Sequence, residues 1–176
     1  ATYSTDGVDT QIDWRFGLDA LGLSPDYGKI QVSSVITYLN SFRVSSLPGT
    51  PILDYAGSIG NASVSPEISH PRWKASTTVG YVLGPVSAAL HWRFIDKMKH
   101  QDLVSSPTAT TPGVPSYNYF DADVHWRVRE NLELSAGVTN IGDKQPPFVS
   151  AQPLTTDTAT YDIIGRTYYM TLKAKF

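Results

Sequence analysis

Apolar and polar side chains alternate along most of this chain with a period of two residues. Because a strand points successive side chains to opposite faces of a sheet, this alternation predicts strands with one apolar face. In the C-terminal segment, every second residue from Tyr168 to Phe176 is apolar or aromatic, and the residues between them are Tyr, Thr or Lys. Seven such strands are predicted, and they are Val8–Leu18, Ile30–Phe42, Trp73–Tyr81, Val86–Phe94, Phe120–Val128, Leu132–Thr139 and Thr167–Phe176.

The second strand is the least regular of the seven. Its predicted apolar face carries Ile30, Val32, Ile36, Tyr38 and Phe42. Two further apolar residues, Val35 and Leu39, fall on the opposite face and weaken the alternation. Helical spacing is hard to find here, as it is elsewhere in the chain, so a strand remains the prediction.

Two short turns fix the pairing of neighbouring strands. The two-residue connection at 84–85 preserves the parity of the faces, so Val79 is predicted to lie opposite Leu90. The next short turn places Arg127 directly opposite Glu133. An opposite-charge pair at facing positions stabilises a sheet, and this supports the register.

The connections between the strands alternate between short and long. The short ones are residues 20–28, 84–85 and 129–131, and the long ones, rich in Pro, Gly, Ser and Thr, are residues 44–70, 101–115 and 141–165. Compact turns at one rim and long loops at the other are typical of outer-membrane barrels.

Aromatic residues mark both ends of the predicted apolar faces. Trp73 and Tyr81 lie on one strand at a separation of about 26 Å, which a tilt of about 40° reduces to roughly 20 Å of height. That height is close to the apolar band of a membrane barrel. A soluble β-sandwich also has one apolar face per strand, but it gives no reason for aromatic residues at both ends.

The predicted fold class is therefore all-β, with antiparallel up-and-down transmembrane β-barrel strands. About seven strands are too few for an ordinary single-chain barrel, which has an even number of at least eight. Both outer strands would also expose unpaired backbone groups, which lipid does not tolerate. We therefore expect the chain to form one part of a larger barrel.

Composition narrows the functions that remain. The chain has 176 residues, 41% hydrophobic residues and a net charge of −2, which argues against wholesale disorder and against a nucleic-acid partner. Cysteine is absent, so disulfides, thiolate metal sites and thiol nucleophiles are excluded within this sequence. No stretch approaches the roughly 18 apolar residues of a membrane helix.

Candidate catalytic and metal-binding residues have a simpler structural explanation. Asp121, Asp123 and His125 are spaced two residues apart, as in some metal clusters, but on a strand they share the lumen-facing side, which Arg127 continues. The four histidines show no zinc-site spacing, and no nucleophile elbow, P-loop or dinucleotide motif is present. The sequence therefore predicts no enzyme activity, no metal and no cofactor.

Several segments carry a family resemblance. In chain order they are Asp54-Tyr55-Ala56-Gly57, Pro71-x-Trp73, Pro115–Asp121, Asn140–Pro147, Tyr161-Asp162, Gly165-Arg166 and the last strand ending in Phe176. This ordered set resembles the C-terminal part of TonB-dependent outer-membrane receptors. One departure is Ile141-Gly142, where that family favours Leu-Phe, and it removes a packing aromatic but keeps the turn chemistry.

The resemblance implies a plugged barrel of about 22 strands in the bacterial outer membrane. Such a receptor imports a scarce nutrient, for example a siderophore-iron complex, cobalamin or a carbohydrate, with energy from the inner-membrane TonB complex. We expect residues 1–176 to be the C-terminal barrel segment, without the plug domain or the N-terminal box that contacts TonB. The expected partners are outer-membrane lipid, the remaining barrel strands, the plug, the TonB complex, the barrel-assembly machinery and a small-molecule nutrient.

The same resemblance assigns candidate roles to side chains. Expected ligand contacts in the long loops are Tyr55, Trp73, Tyr117 and Tyr119. Expected lumen residues, which would face the plug, are Asp121, Asp123, His125, Arg127 and Glu133. The expected signal for the barrel-assembly machinery is Tyr168, Met170, Leu172 and Phe176.

Two alternatives remain open from the sequence. One is a small passive outer-membrane barrel assembled from several copies of the chain. The other is a soluble β-sandwich binding module, in which the apolar faces would be buried against a second layer of protein.

Overall fold

The computed structural model of the protein describes residues 2–45, 47–60, 69–151 and 154–175. Its strands, in chain order, are β1 (Thr2–Gly17), β2 (Lys29–Ser45), β3 (Leu53–Asp54), β4 (Ser58–Ile59), β5 (Ser69–His70), β6 (Trp73–Leu83), β7 (Val86–Ile95), β8 (Lys99–His100), β9 (Tyr117–Arg129), β10 (Leu132–Thr139), β11 (Ser150–Ala151), β12 (Leu154–Thr155) and β13 (Thr167–Ala174). Among these described residues, helical structure is limited to two 3-10 turns, Leu18–Leu21 and Pro25–Tyr27, and one α-helical turn, α1 (Asp102–Ser105). None of the described helices is long and apolar enough to cross a membrane.

Seven long strands form one antiparallel sheet, which we call the wall. Its order is β1-β2-β6-β7-β9-β10-β13, so each long strand pairs with the next long strand along the chain. This is the up-and-down arrangement that the alternation predicts, and the fold class is confirmed. The wall is a partial barrel with β1 and β13 at its two edges.

The predicted register is also confirmed. Val79 pairs with Leu90, and Arg127 pairs with Glu133. The observed strands are longer than predicted mainly at the end that carries the long connections, where β1 begins at Thr2 and β9 begins at Tyr117. Backbone pairing continues there although the strict alternation of side chains has ended. Phe176 lies outside the described residues.

One face of the wall is apolar and uncovered. Side chains at paired positions share a face, and this outer face carries Val8, Ile12, Trp14, Val79, Leu90, Val124, Trp126, Met170 and Leu172. Trp126 is 47% exposed and Met170 is 77% exposed. A β-sandwich would bury these residues under a second sheet, so that alternative is wrong.

A bulge in β2 corrects the prediction for Phe42. The register between β1 and β2 shifts at Asp6/Gly7, so that Leu39 pairs with Gly7 and Ser41 pairs with Asp6. The extra residue in β2 is Asn40, and it turns the following side chains over. Phe42 therefore lies on the inner face rather than with Ile30, and its ring stacks on His70 with 4.1 Å between centroids.

The buried apolar cluster of the described residues lies at one end of the wall, on the inner face. Its members are Ile59, Ile95, Met98, Val114, Tyr117, Tyr119, Val149 and Tyr161. They come partly from wall strands and partly from the three long connections, at residues 46–72, 96–116 and 140–166. We call the described parts of these connections the cap. A three-stranded sheet, β5-β4-β8, joins the first connection to the second.

Candidate functional site

The inner face of the wall is polar along β9. Asp121, Asp123, His125 and Arg127 alternate with Ala122, Val124, Trp126 and Val128, which lie on the outer face. Glu133 of β10 pairs with Arg127 and therefore lies on the same inner face. The structure thus brings the predicted lumen residues together on the concave side. That they face a plug stays a prediction.

Two imidazoles share the carboxylate of Asp123. His91 Nε2 lies 2.7 Å from Asp123 Oδ1, and His125 Nε2 lies 3.1 Å from Asp123 Oδ2. Because a carboxylate only accepts hydrogen bonds, the His91 ring donates to Asp123 through Nε2, whereas the His125 ring is a close polar neighbour of the same carboxylate. The hydroxyl of Thr78 lies at hydrogen-bond distance, 2.9 Å, from the other ring nitrogen of His91, Nδ1. Together with Ser33 and Asp13, this network lines a cavity of about 370 Å³ on the inner face.

The network links side chains of three neighbouring strands, β6, β7 and β9. In the described part of the chain, no group of three His, Asp or Glu side chains is placed to hold a metal ion. The network is a hydrogen-bonding surface of the kind that lines barrel interiors.

Arg93 links the wall to the cap. Its guanidinium makes a bidentate contact with Asp162, with Nη2–Oδ2 at 2.5 Å and Nη1–Oδ1 at 3.1 Å. The Nε atom also lies 3.5 Å from Asp121 Oδ2, and the guanidinium carbon lies 4.9 Å from the centroid of the Tyr119 ring. Bidentate geometry fixes both position and orientation. Arg93 therefore fastens the last long connection to β7 and β9.

We expect the Arg93–Asp162 pair to show a coupling free energy of about 1 kcal/mol in a double-mutant cycle of Arg93→Gln and Asp162→Asn. Each side chain is about one third exposed, at 36% and 30%, so solvent screening lowers the value below that of a buried pair. The measurement is urea unfolding of the complete protein in detergent micelles.

The matched control for that cycle is the pair Arg127→Gln and Glu133→Gln. Those groups lie 3.9 Å apart and are 67% and 45% exposed, so their coupling should be close to zero. Equal coupling energies in the two cycles would contradict the assigned role of Arg93.

Three of the four predicted ligand residues lie in strands rather than in loops. Tyr117 and Tyr119 belong to β9 and are only 7% and 1% exposed beneath the cap. Trp73 is the first residue of β6 and pairs with Tyr38, with 4.5 Å between ring centroids, on the outer face. Its ring therefore points away from the lumen.

Tyr55 is the predicted ligand residue that does lie in a loop. It follows β3 in a turn and is half-buried. Its amide donates to the carbonyl of Phe42 at 2.8 Å, and its carbonyl accepts from the hydroxyl of Ser58 at 2.6 Å. These bonds order the turn, and a ligand contact by Tyr55 stays a prediction.

Tyr161 is central to the cap, and sequence reasoning gave it no role. It is 2% exposed, and its ring meets that of Tyr117 edge-on with 4.9 Å between centroids. Its hydroxyl has no hydrogen-bond partner among the described residues, and burial raises the pKa of this phenol. The only available signal was its place beside Asp162 in one of the family-like segments. Burial by residues distant in sequence left no local pattern.

Asn140 organises the turn after β10. It is 1% exposed and has a positive φ of 51°, a backbone conformation that Asn tolerates better than most residues. Its amide donates to Asp121 Oδ1 at 2.7 Å, and its side chain bonds the carbonyl and amide of Lys144 at 3.0 and 2.8 Å. The Asn140–Pro147 segment is thus a side-chain-supported turn anchored on β9.

The predicted assembly-signal residues lie on the outer face of edge strand β13. Tyr168, Met170 and Leu172 are 74%, 77% and 66% exposed, whereas Phe176 lies outside the described residues. The strand therefore presents an aromatic and apolar row. Recognition by the assembly machinery stays a prediction.

A single-layered antiparallel wall with an apolar outer face and a polar inner face, covered by the cap at one end, defines a partial β-barrel. The family model for the TonB dependent receptor-like β-barrel matches residues 1–141. The chain belongs to this family, whose members are transport receptors rather than enzymes. A comparison with curated protein sequences gives no match.

Solved structures of the ferric enterobactin receptor PfeA from Pseudomonas aeruginosa share the fold. The chain is similar to a mutant of that receptor, with a TM-score of 0.59, and to the receptor in complex with BCV-L6, with a TM-score of 0.58. A second mutant, in complex with enterobactin, also gives 0.58. Each match has 19% identity and covers 98% of this chain and 22% of the receptor. The chain therefore spans about a fifth of the length of these receptors.

Proposed function

We propose that the chain is the C-terminal part of the barrel of a bacterial outer-membrane receptor, and that the complete protein imports a scarce small-molecule nutrient with energy from TonB. The observation that carries the proposal is the contrast between the two faces of one sheet. Apolar side chains are exposed on the outer face, where only a non-aqueous medium stabilises them. Ionic and hydrogen-bonding side chains cover the inner face.

The two unpaired edges of the wall indicate further partners of the chain. In the described residues, β1 and β13 each pair with one neighbour, so one backbone edge of each is open. Lipid does not satisfy such groups, and we infer that the remaining barrel strands do. The plug is the inferred neighbour of the His91–Asp123–His125 network. Barrel-assembly machinery and TonB complete the inferred set of partners.

A ferric siderophore is the preferred nutrient class for this proposal. Its support is the fold shared with the ferric enterobactin receptor, to which the chain is only 19% identical. Cobalamin and carbohydrates remain the competing classes. The cap, which covers one end of the inner face, is the inferred place of ligand entry.

The test is uptake by cells that produce the complete protein and lack the host's own receptors. The probes are ferric enterobactin, a ferric hydroxamate, cyanocobalamin and a maltodextrin, each radiolabelled. We expect saturable uptake of one probe that requires functional TonB. We also expect Tyr55→Ala to weaken that uptake several-fold. Trp73→Ala, which alters a ring on the outer face, is the matched control and should leave it unchanged.

Two measurements would contradict TonB-dependent import by the complete protein. Uptake that is independent of TonB, together with steady conductance in planar bilayers, would favour a passive barrel. A detergent-solubilised mass near a small multiple of this chain would assign that barrel to several copies.

A further inference from the structure

The connection between β1 and β2 is built differently from the other two short connections. β6 and β7 are joined by residues 84–85, and β9 and β10 by residues 130–131. Residues 18–28 instead form two 3-10 turns, Leu18–Leu21 and Pro25–Tyr27. We call residues 18–28 the foot. A longer connection at this rim needs an explanation beyond reversing the chain.

The foot is ordered by its own hydrogen bonds. The amide of Leu18 donates to the carbonyl of Gly28 at 3.1 Å, and the amide of Leu23 donates to the carbonyl of Leu18 at 3.3 Å. Gly22 has a φ of 80°, which closes the first turn, and Ser24 accepts from the amide of Asp26 at the start of the second. The side chains of the foot therefore have a defined direction.

Large apolar side chains are exposed on this ordered segment. Leu21 is 64% exposed, Leu23 is 49% exposed and Tyr27 is 55% exposed. Turn segments in water are normally built from small and polar residues. An ordered turn that exposes two leucines and a tyrosine is suited to contact with another apolar phase.

The foot joins the outer side of the wall. Tyr81 lies on the outer face, since it pairs with Ile30 and Ala88, and its hydroxyl donates to the carbonyl of Tyr27 at 2.5 Å. The aromatic pair Trp14 and Phe16, with 4.4 Å between ring centroids, lies on the same face close to the start of the foot. The foot is thus joined to the aromatic end of the apolar outer face.

We propose that the foot is a membrane-surface anchor, which inserts Leu21, Leu23 and Tyr27 into the boundary between headgroups and acyl chains of the adjacent leaflet. The inference rests on the proposed function, because it requires lipid at the outer face. Short apolar segments bind this boundary by burying apolar area to a depth of about 5–10 Å. The exposed carboxylates of Asp19 and Asp26 stay on the aqueous side and limit the depth.

Phospholipid is the occupant favoured over protein because the foot is joined to the aromatic end of the outer face. A protein partner would need to cover the leucines while leaving the neighbouring aromatic residues to lipid. Fixing the foot in the boundary would also hold β1 and β2 at one height in the bilayer, which defines the vertical position of this part of the wall.

The absence of cysteine from the chain makes a site-specific test direct. Single cysteines, Leu21→Cys and Leu23→Cys, are introduced into the complete protein, with any cysteine outside this chain replaced by serine, and labelled with a nitroxide. The protein is reconstituted in phosphatidylethanolamine–phosphatidylglycerol vesicles. Collisions of the label with oxygen, which concentrates in lipid, are compared with collisions with a water-soluble nickel chelate.

Two reference positions make each outcome decisive. Met170→Cys reports on the outer face, and Glu130→Cys reports on a polar turn at the same rim. We expect the Leu21 and Leu23 labels to favour oxygen as Met170 does, by several-fold over Glu130. Labels at the foot that favour nickel, or that are protected from both reagents, would overturn the anchor while Met170 upholds the barrel. A Met170 label that favours nickel would instead overturn the proposed function.

Discussion

Substitution of Leu90 by arginine is expected to destabilise the wall by about 2–4 kcal/mol, the cost of a cation near the midplane on the lipid face of a barrel. Leu90 lies in the middle of β7, pairs with Val79 and Ala122, and is 46% exposed on the outer face. The measurement is urea unfolding of the complete protein in lipid vesicles, with Leu90→Arg compared to the unsubstituted protein.

The neighbouring residue supplies the control for this prediction. Ala89 points to the inner face, where it pairs with Gly80 and Asp123. Ala89→Arg places the same cation one residue away, on the polar inner face beside the Asp123 carboxylate, so the cost should stay below about 1 kcal/mol. Comparable losses in the two variants would mean that the outer face is not in hydrocarbon.

Truncation of Tyr161 should have the next largest effect. Tyr161→Ala is expected to cost about 3–5 kcal/mol, because it removes a buried aromatic ring and leaves a cavity against Tyr117. Tyr161→Phe removes only a hydroxyl that has no partner among the described residues, so the change should lie within about 1 kcal/mol.

The effect of Tyr161→Ala should be local to the cap. Amide hydrogen exchange of residues 156–166 and of β4 should accelerate, whereas exchange at the centre of β7 and β9 should not. If Tyr161→Phe is as damaging as Tyr161→Ala, then the hydroxyl has an essential partner and the packing explanation fails.

The wall could be predicted from the sequence because its determinants are local. Each strand pairs with the next, and the period of two residues assigns every side chain to a face once a turn is fixed. The pairs Val79–Leu90 and Arg127–Glu133 follow from turns of two or three residues. No knowledge of distant segments was needed.

The bulge at Asn40 shows where local reasoning fails within the wall. One extra residue in β2 reverses the parity of every residue beyond it, and the irregular placement of Val35 and Leu39 gives no signal that distinguishes a bulge from a weak strand. Phe42 was therefore assigned to the wrong face. On the inner face, the Phe42 ring stacks on His70, which belongs to the cap.

The cap could not be predicted because its order comes from contacts between segments distant in sequence. Tyr117 and Tyr119 are buried by Ile59 and Tyr161, which belong to other connections. Asp157 of the third connection accepts a hydrogen bond from Ser69 of the first. Long loops rich in Pro, Gly, Ser and Thr carry no period from which such contacts follow, so Tyr117 and Tyr119 were expected to be accessible.

The single-layered wall and the close-packed cap should differ in the side-chain substitutions that they tolerate. In the proposed lipid environment, which has no fixed shape, exchanges among Leu, Val, Met and Phe on the outer face should change area without creating voids or clashes. Around Tyr161 the neighbouring side chains are close-packed, so a change of one methylene group disturbs several residues. The same chain therefore combines a region where chemistry alone matters with one where geometry matters as well.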